Sequence, residues 1–183
     1  YAEVYIRPQI SSDDAGFAAI NDGGTGAEQP KANVSEYASP MSWGVSGNLN
    51  GSVSEGNIQV QAFEQVGSTM YVGGNFTGVR KGKDGAETAT SGLAGFDATT
   101  GEWNGQTFTF NNQVKDLVEL PGGKLLAVGD FTQVNGEAHT GTVLIDTKTG
   151  AVDPSWTLQI RNGSFNRVTV KSAKLVGDTI YLA

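Results

Sequence analysis

The sequence predicts an all-β fold built from repeated units, each with four short antiparallel strands. Three observations support this fold class. Gly supplies 26 of the 183 residues, a composition that favours turns over long helices. The segment VGGNFTGV at 72–79 returns as AVGDFTQV at 127–134. Gly67, Gly122 and Gly177 lie 55 residues apart, so one supersecondary unit recurs at a fixed period.

The first 39 residues do not share the repeat. YAEVYIRP at 1–8 alternates small or aliphatic residues with Tyr and Glu, the period-two pattern of a strand. Residues 11–40 are rich in Gly, Ser, Asn, Asp and Ala and predict a long loop. We therefore expect two segments, namely an N-terminal strand with a long Gly/Ser/Asn-rich stretch at 1–39 and the repeats at 40–183.

Each repeat begins near a Trp that precedes Asn-Gly, and an alternating apolar run follows. These runs predict the first strands, and a tight turn ends each one at Gly67, Gly122 or Gly177, where Gly supplies the positive φ that hairpin turns require. The second strands are TMYVGGNF, KLLAVGDF and TIYLA. Each repeat thus has one Trp near its start: Trp43, Trp103 and Trp156. Their side chains could stack on sugars or, more simply, pack at equivalent positions between the repeats.

The third strands, GLAGFD and TVLID, run into two similar turns, FDATTG and IDTKTG. In these turns the Asp97 and Asp146 side chains can accept hydrogen bonds from the following backbone N–H groups, while Gly101 and Gly150 close the bend. One carboxylate per turn is too few for a calcium site, so we predict structural turns and no metal. A short fourth segment completes each unit.

Four antiparallel strands in about 50 residues are typical of a β-propeller blade. We predict a partial propeller with blades at about 40–101 and 102–152 and a truncated one at 153–183. Because a propeller needs 4 to 8 blades to close, we expect this chain to be a fragment of a longer propeller.

Two six-residue insertions offset each other within the 55-residue period. Phe76 to Asp97 spans 21 residues while Phe131 to Asp146 spans 15, and Gly101 to Leu126 spans 25 while Gly150 to Tyr181 spans 31. Both insertions fall in connections expected at one face of the blades. Binding residues tend to occupy variable loops on a rigid scaffold, so we place any site on that face.

The GNFT and FDxxTG elements, which cover residues 40–183, resemble the β-propeller repeats of secreted or surface bacterial proteins. The resemblance implies a module of an exported or cell-envelope protein and supplies no catalytic motif. Asp97, Thr100, Gly101 and Trp103 also bear a weaker resemblance to the docking motif of quinoprotein-like propellers. Trp103 follows its Gly by two residues and Trp156 by six, and no Cys is present, so we predict no cofactor.

The charge and composition of the chain disfavour several classes of binding partner. The net charge is −7 and the pI is near 4.6, which disfavours nucleic acid and anionic membranes. No apolar run approaches the roughly 20 residues of a membrane span. His139 is the single His, so neither a metal triad nor a Ser-His-Asp constellation is indicated. A protein or a glycan remains the expected partner.

The candidate binding residues lie in the first insertion and at two equivalent strand ends. The insertion concentrates charge, and its alternative interpretation is a solvated loop. Asn75 and Asp130 could line the ligand face or simply cap their strands. The candidates are Arg80, Lys81, Lys83, Asp84, Asn75 and Asp130.

We identify no catalytic residue and expect a non-enzymatic scaffold or binding module. The alternatives are a carbohydrate-active enzyme whose carboxylates lie partly outside this chain and an accessory subunit of an envelope complex.

Overall fold

A computed structural model describes residues 42–49, 58–82, 84–158, 160–161 and 168–183. Those residues form strands, turns and loops and include no helix, so the predicted all-β class is confirmed. The predicted strand at 1–8, the long segment at 11–40 and the candidate Lys83 lie outside the described residues. The strands are, in chain order, β1 Trp43–Ser46, β2 Gln59–Val66, β3 Thr69–Asn75, β4 Gly78–Lys81, β5 Glu87–Ala89, β6 Leu93–Asp97, β7 Val114–Leu120, β8 Lys124–Gly129, β9 Gln133–Val134, β10 Glu137–Ala138, β11 Thr142–Asp146, β12 Ala151–Val152, β13 Ala173–Val176 and β14 Thr179–Leu182.

The repeat forms three consecutive antiparallel sheets. The first sheet has the order β2-β3-β6, and an antiparallel bridge from Phe96 to Trp103 occupies its fourth position. The second sheet is a complete four-stranded meander, β7-β8-β11-β12. The third sheet is the hairpin β13-β14. The predicted first, second and third strands are thus found in the first two units, and the fourth strand is short in both.

The predicted tight turns close these sheets at one end. Gly67, Gly122 and Gly177 have φ values of 60°, 86° and 57°, as hairpin turns with a left-handed residue require. Ala98 N–H donates to Ser68 O in the first unit, and Thr147 N–H donates to Gly123 O in the second. The hairpin turn and the Asp turn of each unit therefore meet at the same end of the sheet, here named the turn end.

The opposite end carries a β-bulge at the same place in both units. The register shifts between Val60 and Ala62 in β2, and between Val114 and Asp116 in β7. Gly74 and Gly129 face these bulges, and a Cβ there would lie 1.9 Å and 2.2 Å from carbonyl oxygens of the first strands. The Gly shared by VGGNFT and AVGDFT is therefore required by this close approach of two strands.

The sheets pack face to face through alternating apolar residues. Tyr71 and Leu93 of the first sheet share one buried cluster with Leu117, Leu125 and Ile145 of the second. Leu126, Leu144 and Val128 on the second sheet's other face share another cluster with Leu175 and Ile180 of the third. Alternate residues along the strands of the second sheet thus face the first sheet and the third sheet, and both sets are apolar.

The first strands of the three units lie side by side. β7 contacts β2 on one flank and β13 on the other. Glu119 N–H donates to Glu64 Oε1 at 3.2 Å, and Ala173 N–H donates to Asp116 Oδ2 at 2.9 Å. The units are therefore connected by polar contacts between their first strands as well as by apolar packing between their sheets.

The polar segment between the second and third strands of each unit is a hairpin, whereas the sequence predicted a loop. In the first unit β4 pairs with β5, and β1 adds a third strand on the other side of β4. In the second unit the shorter hairpin β9-β10 takes this place, and Phe110 bridges Val134. The six extra residues of the first unit extend this hairpin, whose base is anchored by the buried Gly78 and Val79 of β4.

The three Trp residues do not occupy equivalent positions, so that prediction is wrong. Trp43 lies in β1 opposite Lys81, whereas Trp103 pairs with Phe96 in the first sheet. Their rings contact each other with centroids 5.5 Å apart. Trp156 follows β12, and its indole N–H donates to Thr142 Oγ1 at 3.1 Å. A Trp that precedes Asn-Gly by 7, 1 or 6 residues is too variable a motif to fix the alignment of the units.

Candidate functional site

A chain of polar side chains connects the two bulges at the end opposite the turns. Gln61 Nε2 donates to Gln113 Oε1 at 2.6 Å, and Gln113 Nε2 donates to Asp130 Oδ2 at 2.9 Å. Lys115 Nζ lies 3.6 Å from the same Asp130 oxygen. Gln61 and Lys115 are the extra residues of their bulges, and a bulge redirects a side chain that regular pairing would place elsewhere. We name Gln61, Gln113, Lys115 and Asp130 the bulge cluster.

Asp130 is the most buried member of the bulge cluster. Its side chain is 4% exposed, and its Oδ1 atom is buried and accepts no hydrogen bond. A buried carboxylate is costly unless it is paired and hydrogen-bonded, and here Gln113 and Lys115 satisfy one oxygen only. The geometry leaves an acceptor able to take a hydrogen bond from an N–H or O–H group.

Asn75 occupies the equivalent position in the first unit and has a different role. Leu49 N–H donates to Asn75 Oδ1 at 3.0 Å, and Asn75 Nδ2 donates to Asn48 Oδ1 at 2.9 Å. The Asn75 amide thus holds a neighbouring loop as both donor and acceptor. The sequence predicted correctly that Asn75 and Asp130 are equivalent. In the structure Asn75 binds a neighbouring loop, whereas Asp130 belongs to the bulge cluster.

The charged residues of the first insertion lie on or after β4 and do not form a single cationic patch. Lys81 Nζ is 3.0 Å from Glu102 Oε1, and both side chains are half exposed. Ser42 Oγ and Trp43 Nε1 also donate to this carboxylate, at 3.1 and 2.8 Å. These hydrogen bonds, above all that from Lys81, lower the pKa of Glu102. Lys81 therefore anchors the end of β4 next to the hairpin tip while remaining accessible.

The other described residues of the insertion lie on either side of Lys81 along the hairpin. Arg80 pairs in register with Glu87 of β5, and Asp84 is exposed in the turn. Glu87 also accepts a hydrogen bond from Ser46 Oγ at 2.6 Å. The described part of this hairpin carries two basic residues, Arg80 and Lys81, and two acidic ones, Asp84 and Glu87, which suits a mixed polar surface better than an anion-selective one.

The Asp turns have the predicted hydrogen bonds. Asp97 Oδ1 accepts from Thr99 N–H at 3.0 Å and from Thr100 N–H at 2.7 Å, and the Thr100 bonds lower the pKa of Asp97. Asp146 Oδ1 accepts from Lys148 N–H at 3.0 Å. Gly101 and Gly150 close the turns with φ values of 71° and 72°.

The second unit strengthens its turn with a lysine. Lys124 Nζ lies 2.6 Å from Asp146 Oδ2 and 2.9 Å from Asp153 Oδ2. Hydrogen bonds to both carboxylates raise the pKa of Lys124. Hydrogen bonds from Ser155 and then Lys124 lower the pKa of Asp153 to about 2. We name Lys124, Asp146 and Asp153 the turn clamp and regard it as structural, because every charge in it is paired.

Within the described ranges, no group of three or more His, Cys, Asp or Glu side chains is arranged to hold a metal ion. Likewise, the described segments contain no helix that could span a membrane. His139 lies in the polar segment after β10, with Nε2 3.8 Å from Glu137 Oε2.

Sequence reasoning did not identify Gln61, Gln113 or Lys115 as site residues. A signal for them was present, because Val114 and Leu117 are both buried in the same cluster although they are three residues apart. That spacing breaks the period of two and indicates a bulge between them. What the spacing could not show is that the two bulges lie next to each other.

Comparisons with known proteins add no relative. No protein-family model, no curated protein and no solved structure matches this chain.

Proposed function

We propose that this chain is a non-enzymatic β-propeller scaffold of an exported or cell-envelope protein, which presents its loop-rich end to a protein or a glycan. The observation that carries the proposal is that the first two sheets share one backbone pattern, while the hairpins that differ in length, β4-β5 and β9-β10, lie at one end. We call that end, opposite the turn end, the variable end. A scaffold that repeats its framework and varies one end is typical of binding modules.

The packing of the sheets supports a propeller. In such a fold the first strand of every blade lies nearest the axis, and consecutive blades pack face to face. Here β2, β7 and β13 lie side by side. One buried apolar cluster lies between the first and second sheets, and another lies between the second and third. In the second sheet the fourth strand, β12, lies farthest from the first, β7, as in a propeller blade.

The composition of the variable end supports binding. Asn75 and Asp130 end or follow the second strands there, and the hairpins β4-β5 and β9-β10 continue from them. The bulge cluster contributes carboxamide groups hydrogen-bonded to each other and to a carboxylate, with an ammonium group 3.6 Å from that carboxylate. Such a mixture of donors and acceptors suits the hydroxyl groups of a glycan or the backbone of a peptide.

The experiment replaces the long hairpin of the first unit with the short one of the second. Residues 80–87 are excised, and Val79 is joined to Thr88 through Asn-Gly, as Asn135 and Gly136 join β9 to β10. The original and shortened proteins are compared on a glycan array and against surface-protein extracts, with circular dichroism as the check on folding. We expect the fold to remain and partner binding to fall by at least about tenfold, as for loss of a central contact.

Two single substitutions test the variable end and the turn end separately. Lys81→Ala alters the variable end, while Lys148→Ala alters an exposed lysine in the Asp turn at the turn end. We expect only Lys81→Ala to weaken binding. Binding that survives hairpin excision but is lost in Lys148→Ala would show that the proposed end is wrong.

A further inference from the structure

The first two units differ in what contacts the polar side chain that ends or follows the second strand. In the first unit Asn75 is 4% exposed, and its Oδ1 accepts from Leu49 N–H at 3.0 Å. In the second unit the Asp130 side chain is also 4% exposed, but among the described residues no N–H or O–H group donates to its Oδ1. The same position of the repeat therefore receives a backbone N–H in the first unit only.

The difference arises in the segment that leads to the first strand of each unit. β1 in the first unit and Phe110 in the second occupy equivalent places beside the hairpins β4-β5 and β9-β10. Residues 47–58 connect β1 to β2, and Leu49 belongs to this connection. Residues 111–113 alone connect Phe110 to β7. The shorter connection has no counterpart of Leu49 to donate to Asp130.

We infer that Asp130 binds a peptide segment of a partner protein, whose backbone N–H donates to Oδ1 as Leu49 N–H donates to Asn75. This inference rests on the proposed function and identifies its partner as a protein. Asp130 differs from Asn75 in having two acceptor oxygens and no donor, so Gln113 satisfies one oxygen and the other accepts from the partner. Because a buried acceptor without a donor is costly, a peptide N–H that reaches it gains a charge-assisted hydrogen bond.

Access to the Asp130 carboxylate depends on Lys115. Gln113 is held at both ends of its carboxamide, by Gln61 and by Asp130. Lys115 Nζ lies 3.6 Å from Asp130 Oδ2, which is too long for a hydrogen bond, and its side chain is 24% exposed. Lys115 is therefore the member of the bulge cluster that moves most easily, and its displacement opens the carboxylate to a peptide.

The probe reproduces the segment that contacts Asn75 in the first unit. It is a synthetic peptide with capped ends and the sequence of residues 46–51, SGNLNG. Its affinity for the full 183-residue chain is measured by NMR from the peptide resonances, and the side-chain carboxyl resonance of Asp130 reports where it binds. We expect that resonance to shift. A peptide N-methylated at its leucine keeps every side chain but lacks the donor, so it should bind at least about tenfold more weakly.

Asp130→Asn is the matched change on the protein. Its amide oxygen retains the hydrogen bond from Gln113, which places an N–H group where Oδ1 lies in the wild type. Two donors then face each other, so peptide affinity should fall at least about tenfold while the melting temperature changes little. Asp178→Asn is the control, since it makes the same exchange at an exposed turn position and should leave peptide affinity unchanged.

Equal affinities of the two peptides, or of wild type and Asp130→Asn, would overturn the inference. So would an Asp130 resonance that stays in place at the highest peptide concentration. Glycan-array binding that is lost in Asp130→Asn while peptide binding is retained would assign the site to a sugar instead. Excision of residues 80–87 leaves the bulge cluster intact, so peptide binding should persist there. Partner binding that survives this excision would contradict the proposed function without touching the peptide result.

Discussion

The first and second sheets share a backbone and differ in the partners of their polar side chains. Gly74 and Gly129 face equivalent bulges, and Asn75 and Asp130 follow them at the same register position. The Asn75 amide holds the loop at Asn48 and Leu49, whereas the Asp130 carboxylate contacts Gln113 and Lys115. The comparison teaches that the repeat specifies the framework, while the chemistry at the variable end is set separately in each unit.

The largest expected difference between the two units concerns one apolar position. Leu117→Ala should lower the free energy of unfolding by about 2–5 kcal/mol, because it leaves a cavity between two packed sheets. Phe63→Ala, at the equivalent position, should cost less than about 1 kcal/mol in the monomer, since Phe63 is already half exposed. Urea unfolding at low protein concentration measures both. Equal costs would mean that Phe63 is covered as fully as Leu117.

The next largest effect tests whether the two bulges are equivalent. Gly74→Ala and Gly129→Ala should each cost about 1–3 kcal/mol or more, because the added methyl group meets a backbone carbonyl that cannot rotate away. Gly67→Ala is the control, since its Cβ would meet nothing within 4 Å. It should cost about 1 kcal/mol, from the left-handed backbone alone. Thermal unfolding compares the three, and a tolerated Gly129→Ala would show that the bulge can rearrange.

Exchanging the two polar residues separates their roles. Asn75→Asp should cost about 1–3 kcal/mol near neutral pH, because the carboxylate cannot donate to Asn48 and faces that acceptor directly. Asp130→Asn should change stability by less than about 1 kcal/mol, since the amide oxygen still accepts from Gln113 and the loss of the Lys115 ion pair is offset by removal of a buried carboxylate charge. Unfolding at neutral pH and near pH 3 measures both. The Asn75→Asp penalty should shrink at the lower pH, where a protonated carboxyl can donate.

The smallest effect lies at the turn end. Lys124 has Thr69 as its equivalent in the first sheet, so only the second unit carries the turn clamp. Lys124→Met should raise the pKa of Asp146, whose lowering is due mainly to Lys124, more than that of Asp153, which Ser155 also lowers. Side-chain carboxyl titration by NMR measures these shifts. The pKa of Asp97, which is lowered by Thr99 and Thr100 without a lysine, should stay where it is.

The turn clamp also gives a pH dependence of stability whose sign is defined. Asp153 has a folded-state pKa of about 2, below its ordinary value of 3.8. Its contribution to stability is therefore complete above about pH 4 and is lost as the pH falls towards 2. The melting temperature of the wild-type chain should fall over that interval. In Lys124→Met the decline should be shallower, and an identical decline would show that the clamp does not contribute.

Local sequence features predicted much of the framework. Gly67, Gly122 and Gly177 marked the hairpins because only certain residues adopt a positive φ easily, and Asp97 and Asp146 marked turns because their hydrogen bonds join neighbours in sequence. The β4-β5 hairpin was missed because β4 is stabilised by β1, more than thirty residues earlier. The bulge cluster was missed for the same reason, since Gln61 and Gln113 meet only after two sheets have packed.

The way the β4-β5 hairpin grows has a consequence for how such repeats diverge. Val79 pairs with Thr88, while its counterpart Val134 pairs with Glu137, so the two hairpins differ by an even number of residues. When residues are added in even numbers, one to each strand, every new pair extends the ladder. The buried side chains of the flanking strands keep their positions while the tip lengthens. An insertion of odd length leaves one residue unpaired, which requires a different turn or a bulge at the tip. Natural variants of this protein should therefore differ at this tip mostly by two, four or six residues, a pattern that sequencing can count.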